Sequence, residues 1–288
     1  MLFKNRYYCF IAGLPDFSFD SMKLPFTVDE FRGMLEEELK PEDMKLINKY
    51  FLKHDNDNLR HLLKAPDAVF SRSGQFSREE TEDLIRKIKE EESLRHTTFP
   101  PYFETVIRAS LGDEPEKKEQ PGYAKELEDT LASLYMDYGM GIKNSLISQW
   151  FEFNLNMGNI FSALFARKYG MDVSTAVVGN NHLAQIIREH ANVRDFGIGI
   201  EVPYFENIQR LAEIDDLYDR ERKIDKFRWD WLEAHTVFDY FNLENIFAYF
   251  CKLQILERWV NLNAEEGERI FRQLISNLKE KVRIPEEE

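Results

Sequence analysis

Cysteine and glycine are scarce in this chain of 288 residues, which contains two Cys and 13 Gly. Cys9 and Cys251 are far apart and stand in aromatic or apolar runs. Two such residues form neither a disulfide framework nor a paired-cysteine zinc motif. We expect both to be reduced and buried thiols, the usual state of a free cysteine in apolar surroundings.

Long apolar runs are missing as well. No stretch approaches the roughly 20 apolar residues that a helix needs to cross a bilayer. Near the beginning, Lys4 and Arg6 precede a short apolar stretch, but two Tyr interrupt it and no cleavage site of small residues precedes Pro15. We therefore expect a cytoplasmic protein without a signal peptide.

Positive charge is in short supply. The chain has 38 Lys and Arg against 52 Asp and Glu, a formal net charge of −14. This balance argues against a nucleic-acid binder, whose affinity comes mainly from cationic side chains that meet phosphates. It also disfavours docking on anionic lipid. A basic protein partner remains compatible with the charge.

The residue patterns of catalytic, metal and cofactor sites are also missing. His182 and His190 are about 12 Å apart by helical rise, too far to share one metal ion. Gly139-Met-Gly141 and Gly197-Ile-Gly199 are too short for a dinucleotide-binding or phosphate-binding loop, and turns between helices explain them. We expect no catalytic residues, no metal and no cofactor.

The residues that are abundant predict a helical protein. Hydrophobic residues make up 43% of the chain and include 23 Phe, enough for a packed core. They recur at helical spacing, and no long alternating pattern appears, so the predicted class is mainly α. Thr27 and Ser77 are predicted N-caps, Pro41 opens a helix, and a long helix over 142–169 is apolar on several sides and ends before Gly170.

Three segments are harder to assign. Residues 171–178 are compatible with a short strand or a loop, and residues 196–202 are Gly-rich and lean toward β structure. The segment 208–231 is highly charged, with many opposite charges three or four residues apart, and we predict a solvated helix there.

Among the Asn residues that precede Leu or Ile in predicted helices, three are candidates for equivalent positions of an internal repeat. Asn58, Asn159 and Asn245 are 101 and 86 residues apart. Asn is a poor residue inside a helix because its side chain competes for backbone hydrogen bonds. A buried amide without a partner costs about 1–3 kcal/mol, so each should be paired. We interpret the three as residues that fix equivalent helix crossings in a degenerate internal repeat. The alternative is three unrelated Asn residues, each with its own local hydrogen bonds.

One segment divides the helical pattern. Residues 112–122 contain several charged residues and two Pro but nothing apolar to bury, which predicts an exposed linker. The predicted organisation is a first helical unit at 1–111, a second at 123–202 and a third at 203–288. The three units are expected to form one compact domain.

Two stretches resemble a known family. Residues 151–160 with Ala166–Gly170, which include Asn159 and Arg167, resemble its polar-x-x-Asn-Ile…Arg-x-x-x-Gly helix. Glu244–Arg258 resembles its last long helix, and a loop to Gly267 and a closing helix over 268–279 follow in the same order. The family is the rotary V-type/A-type ATPase subunit called C in prokaryotes and d in eukaryotes, with a related bacterial group encoded among V-type ATPase genes.

The resemblance implies a fold and a function. The fold is all-helical, with three related units arranged as a pseudo-threefold funnel. The function is that of a non-catalytic central-stalk subunit, which seats the rotor shaft on the membrane proteolipid ring and transmits torque for ion transport. The protein is expected to be cytoplasmic and peripheral to the inner membrane, with no membrane insertion and no nucleic acid. The structural repeat positions are Asn58, Asn159, Asn245, Arg167 and Arg258.

Two other functions stay open. One is a free-standing α-helical adaptor or scaffold, although known helical arrays repeat every 34 to about 47 residues, well below the spacing found here. The other is an enzyme with an unrecognised site, which would use a buried carboxylate or His182 and His190 near the Gly-rich turns.

Overall fold

The computed structural model describes residues 6–65, 69–71, 73–92, 97–114, 117 and 122–262. These residues are mainly helical and contain no strand, which confirms the predicted fold class. The predicted closing helix at 268–279 lies outside the described residues. So does most of the predicted linker, at 115–116 and 118–121.

Twelve helices occur in the described part of the chain. They are α1 (Tyr8–Gly13), α2 (Val28–Glu38), α3 (Pro41–Lys64), α4 (Arg78–Lys89), α5 (Pro101–Gly112), α6 (Tyr123–Met140), α7 (Ser145–Lys168), α8 (Val173–Ala176), α9 (His182–Glu189), α10 (Phe205–Ala212), α11 (Leu217–Thr236) and α12 (Leu243–Asn261). Not one of the helices described is both long enough and apolar enough to span a membrane.

The helix starts that the sequence predicts are confirmed. The side chain of Thr27 accepts the backbone N–H of Glu30, and the Glu30 carboxylate accepts the N–H of Thr27 in return. Ser77 and Glu80 form the same capping box at the start of α4. Pro41 is the first residue of α3, where its missing N–H costs no hydrogen bond.

Several local predictions are wrong. Residues 171–178 contain the short helix α8, and residues 196–202 form turns that include Gly197 at a φ of 73°. The segment 208–231 is divided between α10 and α11, and α11 is not wholly solvated. Its charged residues leave an apolar face that packs inward, with Ile224, Trp229 and Leu232 buried. Cys251 is buried as expected, whereas Cys9 is exposed.

The described residues group into two compact units. Unit 1 takes the residues as far as Leu39 and those from Ile224 onward, and unit 2 is Lys40–Lys223. The division into related helical units at 1–111, 123–202 and 203–288 stays a prediction.

In unit 1, α2 packs against α12. Phe31 is fully buried and stacks on Phe250, with ring centroids 6.1 Å apart. The carboxylate of Glu257 accepts the backbone N–H of Val28 at 2.9 Å and so fixes the start of α2 against α12. A second buried cluster in this unit consists of Phe19, Trp229, Ile255 and Trp259.

In unit 2, α7 is the central helix and contacts α6, α8, α9 and α10. Its buried residues point in several directions, as predicted, and include Ile147, Met157, Ile160 and Ala163. Helix α6 also packs against α3 and α5, and the Tyr135 hydroxyl donates to the backbone carbonyl of Tyr50 at 2.7 Å.

Gly139 permits the close approach of α6 and α7. A Cβ at this position would lie 2.1 Å from Cδ1 of Phe151, a side chain that is itself buried. We expect Gly139→Ala to lower the free energy of unfolding by about 1–3 kcal/mol, the usual cost of overpacking. Gly158→Ala is the matched control in α7: its Cβ meets open space, so it should raise the free energy by about 0.5–1 kcal/mol. Urea denaturation of both variants measures the difference, and effects of equal sign would contradict the steric explanation.

Candidate functional site

Asn58 holds the loop that follows its own helix. It lies in α3 and is buried. Its side-chain oxygen accepts the backbone N–H of Ser71 at 2.8 Å, and its Nδ2 donates to the carbonyl of Ser71 at 2.9 Å. Both polar groups of one backbone residue are therefore satisfied by one side chain. We call this two-bond arrangement an asparagine clamp.

Asn159 forms the same arrangement in α7. It is buried, its side-chain oxygen accepts the N–H of Val178 at 2.8 Å, and its Nδ2 donates to the carbonyl of Val178 at 2.8 Å. The surroundings match as well. Helices α3 and α7 both have 24 residues, and the stretches that lead to α4 and to α9 both have 13, at 65–77 and 169–181, the second of which includes α8. Two stretches of unit 2 thus have the same helix length and the same hydrogen bonds from a buried Asn.

A polar residue three positions before each of these Asn residues holds the start of the next helix. The Asp55 carboxylate accepts the N–H groups of Gln75 and Phe76, which lead into α4. Asn156 accepts from the side chain of Asn181, the N-cap of α9, at 2.7 Å. Residues three apart lie on the same helix face, so each pair faces the same connection.

The polar run in α3 has a further buried contact. The Tyr102 hydroxyl donates to the side-chain oxygen of Asn56 at 2.7 Å. Burial is the main cause that raises the pKa of Tyr102, and it outweighs the opposing effect of this hydrogen bond. The phenol therefore stays protonated at neutral pH and serves as a fixed donor between α3 and α5.

Arg167 closes the turn after α9. Its guanidinium donates to the backbone carbonyls of Ala191, Val193 and Arg194 and lies 3.8 Å from the ring centroid of Phe196. Burial lowers the pKa of Arg167, against the opposing effect of the Asp195 carboxylate. The planar guanidinium can hold three carbonyls and one ring at once, which a Lys ammonium cannot.

A family model described as a protein of unknown function, DUF2764, matches residues 4–282. The chain belongs to the DUF2764 family. Both asparagine clamps, Arg167 and α12 lie within the matched region. No curated protein and no solved structure is detectably similar to the chain.

Asn245 of this DUF2764 protein is placed differently from the other two Asn residues. It lies in the first turn of α12 and is half-buried. Its backbone N–H is accepted by Asn242, the N-cap, at 3.2 Å. The side-chain amide of Asn245 forms no hydrogen bond with any described residue. The sequence pattern is shared by all three positions, but the clamp is formed at Asn58 and Asn159.

Arg258, the last predicted repeat position, contacts a buried carboxylate in unit 1. Its guanidinium lies 3.5 Å from Asp225, whose side chain is only 3% exposed. Asp225 also accepts from Arg228 at 2.8 Å and from the indole N–H of Trp259 at 3.0 Å. The carboxylate thus joins α11 to α12 through Arg258 and Trp259, while Arg228 holds it from its own helix.

The remaining candidates are not brought together. His182 is exposed and lies 3.4 Å from Glu201, while His190 contacts the carbonyl of Ile186 in its own helix. Within the described ranges, no group of three His, Cys, Asp or Glu side chains is placed to hold a metal ion.

Sequence reasoning identified the clamp residues but missed Asp55 and Asn156. Both stand three residues before an Asn, as does Asn242, so a polar residue at this spacing is present in all three copies. A search for Asp or Asn three residues before Asn-(Leu/Ile) would have found the pairs. The partners in the loops have no such pattern.

Proposed function

We propose that this DUF2764 protein is a non-catalytic central-stalk coupling subunit of a rotary V/A-type ATPase. In this role it seats the rotor shaft on the membrane proteolipid ring and transmits torque for ion transport. The proposal includes a funnel of three related helical units. The resemblance at residues 151–170 and 244–258 motivates it, and the repeated asparagine clamp is the observation that carries it.

The clamp favours a mechanical role. A subunit that transmits torque has to resist deformation, and the parts most easily deformed in a helical protein are its connections. Each clamp fixes a long connection to a buried position on a helix, and Arg167 fixes the turn after α9 in the same way. Close packing around α7 supplies the rest of the stiffness.

The charge favours a basic partner. A net charge of −14 attracts a cationic shaft end over a distance and accelerates its association. A permanent joint of this kind is expected to bury at least about 2,000 Å². Association should therefore slow as salt is added, while the assembled joint, held by its packed contacts, dissociates slowly.

Co-purification tests the proposal. The tagged chain is co-expressed with the rotor-shaft subunit and the proteolipid subunit of the V-type ATPase from the same organism. We expect both to be retained, at one shaft subunit per tagged chain, and the ATP-hydrolysing head to be retained only when the shaft is present. The head subunits alone serve as the control.

Two results would contradict the coupling role. Retention of neither shaft nor ring at about 0.1 M salt, where attraction between charges still acts over about 10 Å, would favour the free-standing adaptor. Direct binding of the head in the absence of the shaft would place the protein elsewhere in the assembly.

A further inference from the structure

The Asn245 side chain, which has no hydrogen-bond partner among the described residues, lines a cavity of about 210 Å³ in unit 1. Its lining comes from one face of α12, from α1 and the residues that follow it, including Asp16, and from Thr236 at the end of α11. That volume is well above the roughly 10–15 Å³ that one water molecule needs. The cavity is partly open to solvent and has room for a short segment of a partner chain.

The two asparagine clamps indicate what such an amide can hold. Asn58 and Asn159 each bind the N–H and the C=O of one residue in an extended or irregular segment. The residues they hold are small or β-branched, Ser71 and Val178. Asn245 also has a polar residue three positions before it, Asn242, and its amide offers a donor and an acceptor, but it has no backbone to pair with among the described residues.

The charges around the cavity favour a cationic guest. Lys252 lies 3.7 Å from the Glu233 carboxylate, and Asp16 also acts on Lys252. Burial lowers the pKa of Lys252, against the opposing effect of these two carboxylates. Of the two charged residues that line the cavity, Asp16 and Lys252, the ammonium group of Lys252 is paired with Glu233 behind the lining, which leaves the Asp16 carboxylate to attract a cation.

We infer that this cavity binds an extended segment of a partner protein, whose backbone pairs with the Asn245 amide and whose adjacent basic residue faces Asp16. The binding geometry is that of an asparagine clamp formed between two chains. The inference goes beyond the proposed function, because it holds whichever protein supplies the segment. Its failure would also be distinguishable from a failure of the proposed function, since its test uses no ATPase subunit.

The test uses NMR of the ¹⁵N-labelled full chain, in which the Asn245 side-chain resonances are assigned by their loss in Asn245→Leu. The probe is acetyl-Lys-Val-Lys-amide, and the control is the same peptide with N-methylvaline, which lacks the central N–H. We expect the first to shift the Asn245 side-chain resonances with a Kd of about 1 mM, as suits so small a ligand. N-methylation should raise the Kd at least about fivefold.

A third peptide and a second variant complete the design. Acetyl-Glu-Val-Glu-amide should bind more weakly than the Lys peptide, because its carboxylates repel the Asp16 carboxylate in the cavity lining. Asn261→Leu, at the exposed end of α12, should bind the Lys peptide as the unmodified chain does. Equal shifts from the normal and N-methylated peptides would overturn the inference. So would the absence of a shift at about 10 mM peptide, or a nuclear Overhauser effect in the free protein that pairs the Asn245 amide with its own chain.

Discussion

Asn159→Leu should lower the melting temperature by about 5–12 °C. The substitution removes both hydrogen bonds to Val178 and leaves a backbone N–H and C=O without a side-chain partner. Because Val178 is half-buried, the two groups together should cost about 2–3 kcal/mol, near the lower end of the usual range, and for a protein of this size 1 kcal/mol corresponds to about 2–4 °C. Circular dichroism on heating measures the shift. Under the proposed function, the same variant should also assemble less tightly with the shaft and the ring.

Two controls separate the clamp from a general effect of losing an Asn. Asn192→Leu, at an exposed position, should change the free energy of unfolding by no more than about 0.5 kcal/mol. Asn159→Asp keeps the acceptor for the Val178 N–H but has no donor at neutral pH, and its carboxylate faces the Val178 carbonyl. The free energy of unfolding that Asn159→Asp loses relative to the unmodified chain should therefore become smaller as the pH falls and the carboxyl group gains a proton. A melting curve unchanged by Asn159→Leu would defeat the clamp as a source of stability.

Asp225→Leu should destabilise unit 1 by about 2–4 kcal/mol. The substitution removes the acceptor that Arg228 and the indole N–H of Trp259 share. Loss of one partner from a buried ion pair costs about 3–5 kcal/mol. Because the two Arg side chains are 28% and 42% exposed and can turn toward water, we expect a value near or below the lower end of that range.

The readout exploits the distribution of tryptophan. Trp229, Trp231 and Trp259 lie in unit 1, and Trp150 lies in unit 2. Tryptophan fluorescence during urea unfolding therefore reports mainly on unit 1, and circular dichroism reports on both units. Arg258→Met is the control and should cost less than about 1 kcal/mol, because its partner keeps two other donors. If Arg258→Met lowers the free energy of unfolding as much as Asp225→Leu does, the buried carboxylate is not the main source of this stability.

Helix positions were largely predictable from the sequence, because their determinants are local. A capping box at Thr27 and Glu30, a Pro at the first turn of α3 and a Gly after α7 each act within about four residues. The segments 171–178 and 196–202 were not predictable in this way. Their β-branched residues favour strands, but α8 and the turns after α9 are held by contacts with α7 and Arg167, which are distant in sequence.

The candidate site was predictable in part. The cost of burying an unpaired amide was sufficient reason to select Asn58, Asn159 and Asn245. The partners were not predictable, because Ser71 and Val178 lie 13 and 19 residues away in irregular segments and are recognised by their backbone. For the same reason the sequence could not distinguish Asn245, whose pattern is intact and whose partner is missing from the described residues.

Fixing a connection at an interior residue changes the entropy that is lost when the connection closes. The 13-residue connections 65–77 and 169–181 are each held at an interior residue by the clamp and again near the next helix, so each is divided into shorter closures. Extra residues added on one side of an anchor lengthen only that closure, and doubling its length costs only about 0.6 kcal/mol. A deletion should be more costly, because a segment that is too short pulls Ser71 or Val178 away from the Asn side chain. Natural variation in the length of these connections should therefore consist of insertions.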